Sequence, residues 1–125
     1  MMNIKNILLV LAGSAIGGTV RYAVAVYVQA KNSLDFPLGT VIINVLGCLA
    51  IGMVYAITAR NPQSSPTIRL LLATGFCGGF TTFSAFAFEN LELLKSGQYL
   101  TALTYVILSV VLGIVAVFLG AYLFK

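Results

Sequence analysis

Residues 74–88 read Thr74-Gly75-Phe76-Cys77-Gly78-Gly79-Phe80-Thr81-Thr82-Phe83-Ser84-Ala85-Phe86-Ala87-Phe88, inside an uncharged run of 19 residues, 70–88, bounded by Arg69 and Glu89. About 20 mostly apolar residues are needed for a helix to cross a bilayer, so this run reads as a membrane span. It is not an ordinary one. Glycine costs about 1 kcal/mol in a helix interior relative to alanine, and here Gly78-Gly79 is followed by Thr81-Thr82. That combination predicts a break near residues 78–82, in mid-membrane. Non-helical backbone at such depth is tolerated only where it is buried in protein or faces a water-filled cavity, and it frees carbonyl oxygens to coordinate a hard cation. The competing reading is close packing, because Gly75-x-x-x-Gly79 is a small-xxx-small pattern that lets two helices approach.

Working outward, residues 36–59 form an uncharged run of 24 and residues 96–124 one of 29. Residues 6–20 and 22–30 are uncharged and interrupted only by Arg21. The whole chain of 125 residues is 60% hydrophobic and 8% charged, with mean hydropathy +1.04. Soluble domains carry about 25% charged residues, so these few charges cannot cover a water-facing surface. The reading is one all-α membrane domain, 1–125, with four transmembrane helices over approximately 4–30, 37–60, 67–94 and 98–124. The linkers agree. Lys31-Asn32-Ser33-Leu34-Asp35 is polar and precedes Pro37, which suits a first helical turn. Arg60-Asn61-Pro62-Gln63-Ser64-Ser65-Pro66 is a proline-punctuated loop, and Lys95-Ser96-Gly97-Gln98 a short turn.

Four spans place Lys5, Arg60, Arg69 and Lys125 on one side and Lys31 and Lys95 on the other. A bias of four cations against two is weak for fixing orientation by the positive-inside rule. It suggests dual topology, in which each chain inserts either way up and an upward copy pairs with a downward one. No short hydrophobic leader with a small-residue cleavage site is convincing, so the first segment is expected to remain in the mature protein.

Several function classes fall away. The chain has no His, which removes the commonest general base and transition-metal ligand. Cys48 and Cys77 lie in apolar runs with no zinc spacing and read as small hydrophobes. The seven cations are scattered singly, so no cluster grips a nucleic-acid backbone. No nucleophile–base pair is visible, and the chain is read as a non-enzyme.

The polar groups inside the spans carry what chemistry there is. Asn44 supplies an amide. Ser109 follows Tyr105 by four residues, so both hydroxyls share a helix face. Phe83 and Phe86 stand three apart and share a face too, and ring edges are weakly positive. Each has a plainer reading, an interhelical hydrogen bond or a core ring. Arg21 either snorkels to an interface or sits in a vestibule that attracts anions. Glu89 either marks the interface or bonds to the hydroxyls.

The string Gly75-Phe76-Cys77-Gly78-Gly79-Phe80-Thr81-Thr82-Phe83-Ser84 closely resembles the signature of the CrcB/Fluc fluoride channels. Gly39-Thr40-Val41-Ile42-Ile43-Asn44 and Gly17-Gly18-Thr19-Val20-Arg21-Tyr22 look like the family pattern as well. The resemblance implies a dual-topology antiparallel homodimer in a bacterial plasma membrane, with two pores and a central structural sodium ion. It implies that the backbone carbonyls of Gly78 and Thr81 bind that sodium, two from each chain. It implies that Phe83, Phe86 and Asn44 line the fluoride path, and that Thr40, Tyr105, Ser109 and Glu89 form a hydroxyl track. A further track position, serine in some members, is Gly113 here. Arg21 is then expected in a vestibule. The expected function is passive, fluoride-selective export that lowers cytoplasmic fluoride. The alternatives are a small proton-coupled exporter, which needs an embedded carboxylate and has only Glu89, and a non-conducting assembly subunit.

Overall fold

A computed structural model of the chain describes residues 2–125. Among them four helical spans are long and apolar enough to cross a membrane. Helix α1 is Ile4–Lys31 and α2 is Leu38–Ala59. The third span, Ser65–Lys95, is interrupted. Its first part, α3, covers 65–80; its second, α4, is Phe83–Lys95. Helix α5 is Tyr99–Leu123.

The ends follow from local chemistry. Asn3 caps α1, its side chain accepting from the Asn6 N–H at 2.8 Å. Pro37 stands just before α2 rather than in its first turn, as the residue flanking the helix. At the end of α4, Gly97 takes φ 78°, the Gly97 N–H reaches Leu94 O and the Gln98 N–H reaches Leu93 O. That pair of bonds closes a helix on a left-handed glycine and lets α5 start at once.

The surface is apolar where a soluble protein would be charged: Leu100 is 77% exposed and Phe118 72%. Burial within one chain comes instead from small residues and close backbones. Helix α1 packs along α3, and α2 along α5. A Cβ on Gly17 would lie 2.1 Å from Phe76 O, and one on Gly120 would lie 2.2 Å from Leu49 O. Without a hydrophobic drive between helices in lipid, such dispersion contact drives association together with interhelical hydrogen bonds and lipid entropy.

One feature of α3 differs from an ordinary span. Residues Arg69–Cys77 wind as a π-helix, with the wider i→i+5 bonding. Long π segments are rare and tend to occur near functional sites. The start of this segment is anchored: the Arg69 Nε–H donates to Thr58 Oγ1 at 2.9 Å, and its guanidinium lies 4.8 Å from the Tyr55 ring centre. The buried side chains Val41, Leu93, Ala102 and Tyr105 cluster where α2, α4 and α5 meet, with Phe36, Val45 and Phe86 packed on them. This cluster supports one flank of the broken span.

Candidate functional site

The third span breaks at its threonines. Thr81 has φ −82°, ψ 160° and Thr82 φ −150°, ψ 119°, both extended. Gly78 and Gly79 are helical, as part of the turn Gly78–Phe80. The two competing readings of the glycines therefore divide between residues. Gly79 faces α1, where a Cβ would fall 2.6 Å from Ser14 O, so packing demands it. Gly78 is exposed, and a Cβ there would meet nothing nearer than Ala73 O at 3.8 Å. Nothing inside one chain requires a glycine at 78.

Side chains from neighbouring helices hold the broken segment. The Thr82 N–H donates to Asn44 Oδ1 at 2.8 Å, and Asn44 Nδ2 donates to Thr82 O at 3.0 Å. The Thr82 hydroxyl accepts from the Ala85 N–H at 3.1 Å, as the N-cap of α4. The Thr81 hydroxyl turns back to Cys77 O at 2.8 Å. Arg21, half-buried, donates from Nε to Gly79 O at 3.1 Å. Arg21 thus ties α1 to the carbonyl end of α3, a role that neither sequence reading of it contained.

A cavity of about 370 Å³ opens beside the break, lined among others by Asn44, Gly78, Thr81, Thr82, Phe83, Phe86 and Ser109. Most of its wall is apolar side chain. Phe83 is 78% exposed at its edge. Ser109 Oγ is buried and has no hydrogen-bond partner within the chain. Buried hydroxyls normally find partners, so this one is a donor in waiting. The break also juxtaposes opposite helix ends. The carbonyl terminus of α3 favours cations and the N–H terminus of α4 favours anions.

The remaining candidates form a second group. The Thr40 hydroxyl donates to Glu89 Oε1 at 2.7 Å and the Tyr105 hydroxyl to Oε2 at 2.5 Å. Each hydroxyl has one proton, so both are committed to Glu89. Glu89 also borders a second cavity, of about 440 Å³, at the α1–α2 loop with Asn32, Asp35 and Glu92. An aromatic series joins the two groups. Phe83 lies 5.7 Å from Phe86, Phe86 meets Tyr105 edge-on at 5.0 Å and 70°, and Tyr105 meets Phe36 edge-on at 5.5 Å and 69°. Gly113 is buried, and a Cβ there would lie 3.5 Å from Cys48 Sγ, at ordinary contact distance, so space alone does not forbid a small side chain.

Two participants escaped the sequence reading as site residues. Thr82 caps α4 and receives Asn44; a Thr three residues before an N–H that needs an acceptor is a legible capping signal. Phe36 completes the aromatic series, and nothing in its surroundings, Asp35 and Pro37, signals that. Among the described residues no three His, Cys, Asp or Glu cluster as a metal site. The carbonyl and hydroxyl oxygens at the break are ligands of the kind that suit hard cations.

The sequence matches the family described as CrcB-like protein, Camphor Resistance (CrcB), over residues 8–121. It is 45% identical over 119 residues to the fluoride-specific ion channel FluC of Phocaeicola vulgatus, covering 95% of this chain and 98% of that one. It is 46% identical over 121 residues to the protein of that name from Leptospira interrogans serovar copenhageni, covering 97% and 95%. It is 43% identical over 116 residues to the one from Chloroflexus aurantiacus, covering 93% and 92%.

Proposed function

The chain belongs to the CrcB family, and from that membership we propose that it is a multi-pass membrane channel which passes fluoride passively and lowers cytoplasmic fluoride. The observation that carries the chemistry is the buried, unpartnered hydroxyl of Ser109, a residue in the wall of the cavity that Phe83 and Phe86 also line. Fluoride is small and strongly hydrated, and a pore must replace its water with donors. Ser109 offers a proton that no protein group uses. Asn44 has two amide hydrogens, of which Thr82 O takes one. Ring edges of Phe83 and Phe86 add weak positive contact without adding a fixed charge. Deeper along the path, an anion competes with Glu89 for the protons of Thr40 and Tyr105. Glu89 must yield at least one of them for these hydroxyls to serve fluoride.

The chain works as an antiparallel homodimer with dual topology, in a bacterial plasma membrane. Two observations support this. Gly78 is a glycine that its own chain does not need, and Phe83 stands largely exposed at the rim of the cavity rather than on the open surface. A second copy, inverted, explains both, and the weak charge bias permits both orientations. The same pairing brings two Gly78 and two Thr81 carbonyls together from two chains. That oxygen-only set fits a sodium ion, which bound there would tie the broken spans of both copies at the dimer centre. Arg21 and Asn44 then hold the backbone on which those carbonyls sit.

The test is fluoride efflux from liposomes holding only this protein, read with a fluoride electrode, with chloride as control and the proton gradient collapsed. Rapid efflux of fluoride alone, indifferent to the proton gradient, is expected. Efflux that stops without that gradient would point to coupled export through Glu89. No efflux from folded, reconstituted protein would leave a non-conducting subunit.

A further inference from the structure

We infer that Asn44 and Thr82 are positioning residues for the Gly78 and Thr81 carbonyls, which they keep open by drawing two backbone N–H groups away. This rests on the reading that those carbonyls receive a cation. In an uninterrupted α-helix each N–H bonds to the carbonyl four residues back. The Thr82 N–H would then close on Gly78 O, and the Ala85 N–H on Thr81 O. These are the two N–H groups that side chains intercept. Asn44 Oδ1 takes the first at 2.8 Å and the Thr82 hydroxyl takes the second at 3.1 Å.

The interception is selective along the chain. One residue earlier, the Thr81 N–H bonds normally to Cys77 O at 2.9 Å. The ladder thus fails at the residue that meets the Asn44 amide. Asn44 grips the Thr82 peptide unit on its N–H and holds Thr82 O as well, the latter at 3.0 Å. Thr82 therefore cannot rotate back to helical angles without losing two hydrogen bonds. Asn44 projects from α2, a different helix, so the open state of the carbonyls depends on α2 staying packed beside the break. Because Asn44 also lines the cavity beside Ser109, one side chain serves the cation site by its two bonds to Thr82 and the anion path by its remaining amide hydrogen.

The test is a sodium titration of the purified full-length protein in detergent, with an organic cation keeping ionic strength constant. The thermal unfolding midpoint and the dimer fraction are read at each concentration. The unmodified chain should be stabilised by sodium. Asn44→Leu, close in shape but without hydrogen bonds, frees the Thr82 peptide unit and should raise the half-saturating sodium concentration by about tenfold or more, the effect of one carbonyl bond re-formed. Thr82→Ala frees the Ala85 N–H but leaves Asn44 on the Thr82 backbone, so its rise should be smaller, about two- to fivefold. Asn44→Asp keeps an acceptor for the Thr82 N–H but, when ionised, has no donor for Thr82 O, so its half-saturating sodium concentration should rise less than that of Asn44→Leu while its fluoride flux falls. If Asn44→Leu does not fold, Thr82→Ala decides. Variants Asn44→Leu and Thr82→Ala that titrate like the unmodified chain would overturn the inference. An unmodified chain indifferent to sodium would instead remove the sodium reading on which it stands.

Discussion

Replacing Ser109 with alanine should make the protein more stable and a poorer conductor at once. The hydroxyl is buried and unpartnered. Leaving such a group unsatisfied costs about 1–3 kcal/mol, so its removal should return some of that, about 1 kcal/mol if water partly reaches the cavity. Fluoride in the cavity feels the opposite effect. A hydrogen bond to a charged partner contributes about 1.5–3 kcal/mol. At ~1.4 kcal/mol per factor of ten, losing it should slow fluoride flux about tenfold or more. Thermal unfolding in detergent reads the first quantity and liposome efflux the second, on the same preparation. A Ser109→Ala protein that conducts at the original rate would refute the claim that this hydroxyl replaces water around the ion. One that is destabilised would show that the hydroxyl has a partner in the assembled protein.

Three further outcomes are expected. Phe86→Ile should lose the two ring contacts to Phe83 and Tyr105 and cut fluoride efflux strongly while the dimer still assembles, as read by efflux and chemical cross-linking; unchanged efflux would remove the ring-edge argument. Gly17→Ala places a methyl 2.1 Å from Phe76 O, so α1 must separate from α3, with a loss of several kcal/mol visible as failure to recover folded protein. Gly78→Ala meets no obstacle within its own chain and gains up to about 1 kcal/mol of helix propensity. It should therefore fold as a monomer yet dimerise poorly; normal dimers by cross-linking would place Gly78 away from the interface.

The four spans were legible because membrane crossing is written in composition: the uncharged runs 36–59, 70–88 and 96–124, and the one interrupted only by Arg21, stand out directly between the charged linkers. The discontinuity in the third span was legible from its residue types, and the extended residues Thr81 and Thr82 lie within the expected 78–82; which residues of that stretch leave the helix was not legible. Glycine is a poor helix former in isolation, and that made Gly78-Gly79 look like the hinge. In the folded chain α1 presses its backbone against Gly79, and close packing overrides propensity. The chain breaks instead where Thr82 caps the next helix and where Asn44, 38 residues distant, receives its N–H. No local pattern could report that partner. The hydroxyls of Thr40 and Tyr105 were recognisable as donors, but that both protons go to Glu89 depends on three helices meeting at one carboxylate. The π-helical winding of Arg69–Cys77 had no sequence signal at all, and nothing in its side chains explains its length.

The most direct measurement of passive fluoride conduction is the reversal potential in a planar bilayer containing the purified protein, with a fluoride gradient across it and equal chloride on both sides. A fluoride channel gives a current that reverses at the equilibrium potential of fluoride and does not move when the proton gradient is changed. A reversal near zero voltage, where chloride is at equilibrium, or one that follows the proton gradient, would contradict a fluoride-selective passive pore.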